Sequence, residues 1–482
     1  MKARLLDDAR FPEIDEAGWR ALAQKAVGEA DVDEALSTTA DDGFLIRPIE
    51  PRRTDVAATA RSRREAGWLA LQRVDDPDPK RANRQAREDV EAGAQGLSIV
   101  FDGAPNAFGY GLPATREALA AALDGIPIMK THLRLDVHPA SRQSLDWMVE
   151  ILAAQRHDPT RLSLSFGIDP AAMFAASGRL RMSIEALRAS MPQSLAHFFA
   201  LGVPGVLLEA DGRPYHNAGA TEAQELGAML SAAVSHLRMF ETARQPLVYA
   251  APHVGFALSA DQNQLMTMAK IRALRRLWNR VQEACSVPAS ACVVHAETSW
   301  RMMTRLDPET NILRATVATF AAATGGADSI SVVPHTMTHG LPGPFGRRLA
   351  RNLQRILADE SHIGFVEDPA AGSGSVEAVT DALCEKAWSE FQTLETEGGI
   401  LDSLAADRFQ ARVEEAARRR AAEYESGRRV IVGTTLFPAG NERPVETLPA
   451  DKHPMPTDGT VFCRPLAMRR LDEAAARSEE PA

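Results

Sequence analysis

Long apolar runs are absent from the 482-residue sequence, in which no stretch of 18 consecutive apolar residues occurs. A helix needs about 20 such residues to cross a bilayer, so neither a membrane-spanning segment nor a membrane partner is expected. The segment Met1–Trp19 contains no apolar core of a secretory signal, and it has too many acidic residues for a transit peptide. The expected location is therefore the cytoplasm.

Cysteine is scarce, and its four positions are Cys285, Cys292, Cys384 and Cys463. None forms a C-x-x-C pair or lies near a histidine at zinc-site spacing, so free thiols in a reducing compartment are the simplest interpretation. Excess positive charge is also missing, since the net charge is −10 and basic residues are interspersed with acidic ones. Phosphate binding depends on clustered Lys and Arg, so no nucleic-acid partner is expected.

Short β-type runs, each rich in Val, Ile and Leu, alternate with longer helical patterns between residues 68 and 334. The runs are Leu69–Val74, Gly96–Asp102, His132–Val137, Leu162–Gly167, Gly205–Asp211, Leu247–Ala251, Ala291–Glu297 and Asp328–Pro334. Strands that alternate with helices form a parallel sheet. Eight such units predict the α/β class and a closed (β/α)8 barrel of the TIM type.

Capping signals support the helices between these strands. Thr221 and Gln224 have the spacing of a capping box ahead of one amphipathic helix. Ser259 and Gln262 have the same spacing ahead of the next one. A capping box satisfies backbone N–H groups that have no partner inside the helix, so both pairs predict helix starts.

Two segments flank the predicted barrel, which covers residues 61–375. Residues 1–60 contain one helix, at about Asp15–Gly28, and the extended piece GFLIRPIEP, and are expected to form an N-terminal arm. Residues 376–482 are expected to form a C-terminal helical extension, because residues 375–425 are charged and helical in pattern. The final residues, RSEEPA, are expected to be disordered.

Polar side chains are expected at the C-terminal ends of the strands, where barrel enzymes place their reactive groups. They are Asp102, Asp136, His138, Asp169, Glu209, Asp211, His253, His295, Glu297, His335 and His339. Histidine serves as an acid, a base or a metal ligand, so an acid–base or metal site is one interpretation. The alternative is that these groups hydrogen-bond the backbone at the barrel end. No H-x-H or H-E-x-x-H spacing occurs, so no metal ligands are predicted.

The direction of the strand side chains stays open. In Leu162–Phe166 and Ser329–Ser331, serine alternates with bulky residues, and a slip of one residue reverses the two faces. Inward Leu, Ile and Val side chains would fill the barrel, which is the usual case. Inward serines could leave a channel.

Seven segments share the motifs of one known family. They are Asp42–Pro48 (DGFLIRP), Gly93–Ser98 (GAQGLS), Ala218–Leu226 (AGATEAQEL), Met268–Trp278 (MAKIRALRRLW), Asp307–Thr316 (DPETNILRAT), Leu341–Gln354 (LPGPFGRRLARNLQ) and Glu367–Ser373 (EDPAAGS). On these segments the chain resembles the methylmalonyl-CoA mutase family, as far as about residue 440. The resemblance implies an eight-stranded barrel and a radical rearrangement of an acyl-CoA. Adenosylcobalamin supplies the radical and, in catalytic members, is bound by a further domain that has no counterpart among these segments.

Positions that serve catalysis in the family differ here. In the family's R-x-Y-x-G-F segment, which here reads LQRVDD, Arg73 replaces the Tyr that shields the radical. In G-Y-H-x-x-E-A-G-A, Pro214 replaces the His that hydrogen-bonds the substrate carbonyl, and His216 lies two residues away. In H-S-Q-T-S-G, His295 is kept and Glu297 replaces the Gln.

This pattern resembles the small (beta) subunit of heterodimeric methylmalonyl-CoA mutase, which pairs with a catalytic large (alpha) subunit and performs no chemistry itself. The resemblance implies that the chain has no catalytic residues, with His216, His295 and Glu297 as vestigial substrate-binding positions. It also implies that adenosylcobalamin is held by the partner, and that the complex converts methylmalonyl-CoA and succinyl-CoA. Two alternatives remain. One is an active large subunit that uses a separate cobalamin-binding subunit, and the other is a repurposed barrel with acid–base or metal chemistry at His295, Glu297, His335 and His339.

Overall fold

The N-terminal arm precedes the barrel, and its first helix is not buried against it. The computed structural model describes residues 14–59, 61–62, 67–137, 143–155 and 157–476. The arm contains α1 (Glu16–Val27), α2 (Val32–Leu36) and a hairpin of β1 (Thr38–Thr39) and β2 (Leu45–Ile46). The predicted helix is confirmed: Asp15 caps α1 by accepting from the backbone N–H of Gly18, at 2.8 Å. No residue of α1 is buried.

A closed parallel barrel forms the body of the molecule, as predicted. Its strands, in chain order and with the outlying β7, are β3 (Leu69–Val74), β4 (Gly96–Val100), β5 (His132–Asp136), β6 (Leu164–Phe166), β7 (Arg179–Leu180), β8 (Gly205–Val206), β9 (Leu208–Asp211), β10 (Val254–Ala260), β11 (Val293–Thr298) and β12 (Ser329–Ser331). The sheet order is β8-β6-β5-β4-β3-β12-β11-β10-β9. Only Leu207 separates β8 from β9, so they are two halves of one strand. Because β8 pairs with β6 and β9 with β10, the sheet closes with eight strands.

Helices surround the sheet and cover its outer face. They are α3 (Pro79–Glu91), α4 (Arg116–Ala122), α5 (Gln143–Ala154), α6 (Pro170–Ser177), α7 (Ile184–Ala200), α8 (Arg213–Ala218), α9 (Glu222–Thr242), α10 (Leu247–Ala250), α11 (Gln264–Ala284), α12 (Thr310–Gly325) and α13 (Pro344–Arg355). Phe166 of β6 packs against Phe198 of α7, with ring centroids 6.0 Å apart. Phe256 of β10 packs edge-on against Trp278 of α11 at 5.1 Å. The main apolar core therefore lies between the strands and the helices.

The sixth strand lies later in the chain than predicted. The prediction of a strand at Leu247–Ala251 is wrong, because this run forms α10, in which Val248 and Tyr249 are 47% and 70% exposed. The strand is β10, and every one of its residues is buried. A barrel strand is covered on both faces, so an apolar run with exposed side chains does not occupy this place.

The same displacement affects one of the two capping boxes. Ser259 lies inside β10, and the side chain of Asn263 caps α11 instead by accepting from the N–H of Met266. The second predicted box is therefore wrong. The first is confirmed, since Thr221 and Gln224 exchange side-chain and backbone hydrogen bonds at the start of α9.

The chain beyond the barrel begins with helices and ends by crossing the barrel mouth. After β13 (Leu341–Pro342) come α14 (Gly374–Thr396), α15 (Ile400–Ala405), α16 (Arg408–Glu425), β14 (Thr447–Leu448), β15 (Val461–Phe462) and α17 (Leu471–Ala476). We call residues 447–471 the C-terminal strap. In it β14 pairs with β13, and β15 pairs with β7. The predicted disordered tail, residues 477–482, lies outside the described residues. No helix in the described part of the chain is long and apolar enough to cross a membrane.

The position of the sixth strand can be tested by truncating one side chain from each run. We expect Phe256→Ala to lower the free energy of unfolding by about 3–5 kcal/mol, since it leaves a cavity against Trp278. Val248→Ala, on the exposed side of α10, should cost less than about 0.5 kcal/mol. Urea unfolding of both variants measures the difference, and equal losses would contradict the observed register.

Candidate functional site

Serines, not leucines, face the inside of the barrel. Ser329 and Ser331 of β12 hydrogen-bond the two ring nitrogens of His295, at 2.9 and 3.2 Å. The bulky neighbours point outward, as shown by Ile330 and Phe166 in the core under the helices. The question left open by the alternating pattern is thereby answered. The serines do not line an empty channel, however, because charged side chains occupy the axis.

An alternating chain of buried ion pairs crosses the barrel axis. Its members, in order of contact, are Arg347, Asp75, Arg73, Glu297, Arg213, Asp136, Arg134 and Glu209, with Asp211 also bonded to Arg213. We call this set the axial ion-pair chain. Its residues come from strands on opposite sides of the barrel and from the start of α8 and α13. Buried charges are stable only when paired, and here each charge has an opposite neighbour.

The closest contacts of the axial ion-pair chain involve three arginines. Arg73 Nη1 lies 2.6 Å from Glu297 Oε2, and so joins β3 to β11 past the intervening β12. Both terminal nitrogens of Arg134 lie 2.5 Å from the two carboxylate oxygens of Glu209, a bidentate pair. Arg213 Nη2 lies 2.7 Å from Asp136 Oδ1. The side chains of all three arginines are at most 1% exposed, so the charges are shielded from water.

Small neighbours make room for these long side chains. Arg73, Ser98, Arg134 and Ser165 lie side by side in register on β3, β4, β5 and β6. Arginine therefore alternates with serine around this part of the barrel wall. Each serine leaves space into which a neighbouring guanidinium extends toward the axis. Had larger residues faced inward, as in most barrels of this type, they would have filled the space themselves.

Opposite charges decide the protonation states along the axis. Burial alone would raise the pKa of Asp75, but Arg347 and Arg73 outweigh it, and the pKa lies below its ordinary value. The pKa of Asp136 is lowered in the same way, since Arg213 and Arg134 more than offset its burial. These carboxyls are therefore ionised at neutral pH, and their charges hold the arginines in place.

His295 lies on the axis beside this chain and stays neutral. Burial, and then the positive charges of Arg134 and Arg213, hold its pKa well below the ordinary histidine value. Both ring nitrogens are already bonded to serine hydroxyls. His295 and Glu297 do lie together, as expected for two residues of one strand face. The polar atoms of His295 are bonded to serine hydroxyls, and those of Glu297 to arginines.

Aromatic side chains close the C-terminal mouth above the axis. Asn106, in the loop after β4, accepts from Arg73 through its carbonyl and donates to Asp211 through its side chain. Phe108 of the same loop lies over the Arg73 guanidinium at 5.0 Å and stacks on Trp300 at 4.8 Å. The family's H-S-Q-T-S-G segment ends in Gly, and in this chain Trp300 occupies that last position.

The C-terminal strap adds a further layer around this mouth. The backbone N–H of His453 donates to the carbonyl of Gly109, and that of Leu471 donates to the carbonyl of Arg301. The strap thus contacts the loops that follow β4 and β11. Reactive groups of barrel enzymes normally lie open at this end, and here the end is covered.

His216 lies apart from His295 and Glu297, behind the barrel rim at α8. Its Nε2 is 2.9 Å from the Ser299 hydroxyl, and its Nδ1 is 3.2 Å from Glu225, whose carboxylate also bonds Lys270 at 2.6 Å. A Ser–His–Glu order of this kind can activate a nucleophile. The His216 side chain is fully buried and the Ser299 residue has no exposed surface, so no substrate reaches this array.

One group of side chains in the described part of the chain has metal-ligand spacing. His216, Glu222 and Asp261 each offer an atom within 4.8 Å of the others. Arg301 already bonds both carboxylates, at 3.2 Å to Glu222 and 3.0 Å to Asp261. The guanidinium thus supplies the positive charge that a metal ion would supply, and we assign no metal site to this group.

The remaining candidates from the sequence are dispersed. His253 was expected at the mouth, and this is wrong, since it precedes β10 and lies at the opposite end of that strand. His335 and His339 follow β12, and burial lowers the pKa of each. Asp102 bonds the N–H of Ala114 and lies 3.5 Å from His453, while Asp169 bonds the N–H groups of Ala171 and Asp211. His138 lies outside the described residues.

Apart from Arg73, sequence reasoning overlooked the arginines that dominate the site. Arg134 had a signal, because the strand HLRLD alternates polar and apolar residues where a strand buried on both faces is usually apolar throughout. Arg213 and Arg347 lie at helix starts, where no sequence pattern indicated a buried ion pair. No pattern indicated the contact between Phe108 and Trp300 either, since it joins loops that are far apart in the sequence.

Breaking the axial ion-pair chain should destabilise the protein strongly. We expect Arg73→Met to lower the free energy of unfolding by about 3 kcal/mol or more, because Glu297 and Asp75 lose a buried partner. The double variant Arg73→Met/Glu297→Gln should recover part of this loss, since it removes one carboxylate charge as well. Urea denaturation provides the measurement. The control is Arg280→Met, whose exposed pair with Glu283 should contribute less than about 0.5 kcal/mol.

The neutral His295 should make the protein sensitive to mild acid. Unfolding frees this side chain to take up a proton below pH 6.5, so its contribution is complete above that pH and is lost as pH falls. The expected slope is at most about 1.4 kcal/mol per pH unit. His295→Gln should remove this part of the slope in urea unfolding between pH 7 and 5. An unchanged slope in His295→Gln would contradict the burial of a neutral ring.

Comparisons with known proteins agree with the motifs. The sequence profile described as Methylmalonyl-CoA mutase matches residues 57–460. The methylmalonyl-CoA mutase small subunit of Streptomyces virginiae is 35% identical over 469 residues, covering 92% of this chain and 74% of that protein. The small subunit of Propionibacterium freudenreichii subsp. shermanii is 28% identical over 505 residues, covering 98% and 76%.

A mycobacterial relative shows the same relationship over a shorter stretch. The probable methylmalonyl-CoA mutase small subunit of Mycobacterium tuberculosis (strain ATCC 25618 / H37Rv) is 40% identical over 334 residues, covering 67% of this chain and 52% of that protein. The aligned region thus spans about half the length of this relative. Profile, relatives and barrel together lead to one conclusion: the chain belongs to the methylmalonyl-CoA mutase family.

Proposed function

We propose that the chain is the non-catalytic small subunit of an adenosylcobalamin-dependent methylmalonyl-CoA mutase and stabilises a catalytic large subunit. The observation that carries the proposal is the axial ion-pair chain. The protein's own arginines and carboxylates occupy the space at the barrel axis, where a substrate of this family would have to lie. Arg73 and Glu297, which stand where the resemblance expects Tyr and Gln, are bonded to each other.

A substrate could enter the barrel only if ion pairs of the axial ion-pair chain were broken. Removing one partner of a buried pair costs about 3–5 kcal/mol, and an acyl-CoA would have to displace several. Catalysis needs binding energy that grows in the transition state, which a site filled by fixed ion pairs does not provide. In this proposal His216, His295 and Glu297 are vestigial substrate-binding positions that now hold the fold together, and none acts as an acid or a base.

The mouth does not suit a corrin ring. The methylmalonyl-CoA mutase family is cobalamin-dependent, and a corrin is a wide, flat group that needs an open face. Here Phe108 and Trp300 stack over the axis, and the strap packs on the neighbouring loops. We therefore assign adenosylcobalamin to the partner subunit in this proposal and derive no reaction step on this chain.

The partner is a large subunit of the same family. Relatives aligned over most of this chain are named small subunits, which implies a larger companion in those proteins. The arm supports the same idea, because α1 has 12 residues and none is buried. Isolated helices of this length are marginal in water, so α1 gains stability by docking on another chain. Wrapping of the arm around the large subunit would supply that contact.

Reconstitution with a catalytic large subunit tests the proposal. The chain alone, given adenosylcobalamin and methylmalonyl-CoA, should show no turnover, and the large subunit should be stabilised on forming a 1:1 complex. Within that complex Glu297→Gln should leave kcat nearly unchanged as long as the complex assembles. Loss of turnover in an assembled Glu297→Gln complex would favour the alternative, an active barrel that uses a separate cobalamin-binding subunit.

A further inference from the structure

Six exposed apolar side chains lie on one side of the barrel, around α12 and α13. We name this surface the α12 face, and its members are Leu313, Val317, Phe345, Phe365, Val366 and Val432. Leu313 is 67% exposed and Phe365 is 74% exposed. An exposed apolar surface of this kind marks a protein–protein interface.

Contacts among the underlying elements make the α12 face continuous. Leu313 and Val317 are four residues apart and so lie on one stripe of α12. α12 packs against α13, which carries Phe345, and against the short helix at Ile363–Phe365. Near the N-terminal end of α12, the guanidinium of Arg314 donates to the backbone carbonyl of Val432, at 2.5 Å. These contacts place the elements that carry the six side chains around a single helix.

The N-terminal arm reaches the body beside the same face. The backbone N–H of Thr59 donates to the carboxylate of Asp368 at 2.6 Å, and that of Arg53 donates to the carbonyl of Gly372 at 3.0 Å. Asp368 lies two residues after Val366 in the chain. The C-terminal end of the arm, at Arg53 and Thr59, thus adjoins the α12 face. The helix α1, which has no buried residue, lies at the start of the same arm.

We propose that the α12 face is the surface on which the catalytic large subunit docks, which rests on the proposed function above. Obligate interfaces are more apolar than the rest of a protein surface, and a permanent partner would keep the six side chains from water. Continuity with the unpartnered arm gives one surface that a single large subunit covers.

Charge insertion into the α12 face tests the proposal. The variant Leu313→Asp/Phe365→Asp places two carboxylates in the face, and the matched control Val248→Asp/Tyr249→Asp places two in the exposed α10. Calorimetric titration with purified catalytic large subunit measures binding. We expect the first variant to bind at least about 100-fold more weakly than the wild type. The control should bind within about threefold, and both should keep the wild-type urea midpoint.

The outcomes separate the inference from the function on which it rests. Equal binding by the first variant and the control would overturn the assignment of the α12 face, while the small-subunit function would stand. Failure of the wild type to bind would overturn the proposed function itself. If light scattering then showed a wild-type dimer that Leu313→Asp dissociates, the face would be a contact between two copies of this chain, which would overturn its assignment to the large subunit.

Discussion

Charge neutralisation inside a dry barrel is the constraint on which the rest of this structure depends. Arg73, Arg134 and Arg213 lie where water does not reach, so each requires carboxylates at hydrogen-bond distance. Those carboxylates come from opposite walls of the barrel. The ion pairs therefore fix the distance between walls and make the interior cooperative, because removing any one group takes a counter-charge from each of its neighbours.

This interior supports the proposal that the barrel keeps the family's framework and has no catalytic residues of its own. An enzyme site must hold polar groups ready for a substrate, which leaves them partly unsatisfied in its absence. Here Glu297 bonds two arginines, and His295 bonds two serines. Their hydrogen-bonding capacity is used within the chain. The substitutions at Arg73 and Glu297 are thus mutually consistent, since each supplies the other's partner.

Much of the framework could be predicted from local patterns, and the site could not. Alternating strands and helices identified the barrel, and the family motifs identified the relatives. The sixth strand was misplaced because two apolar runs follow each other, and only their burial distinguishes Val248 from Phe256. The pairing of Arg73 with Glu297 joins residues far apart in the sequence, so no local pattern reports it. The inward direction of the serines depends on strand register, which a single sequence does not determine.

The position of the C-terminal strap in the chain has a consequence for the order in which the protein folds. Val461 pairs with Leu180 and Leu448 with Leu341, so the strands of the strap pair with segments that lie far earlier in the chain. Contacts between distant segments pay the entropy of closing a long loop before they gain any stability, and they form late. We therefore expect the strap to cover the mouth late in folding, after the barrel on which it packs has formed.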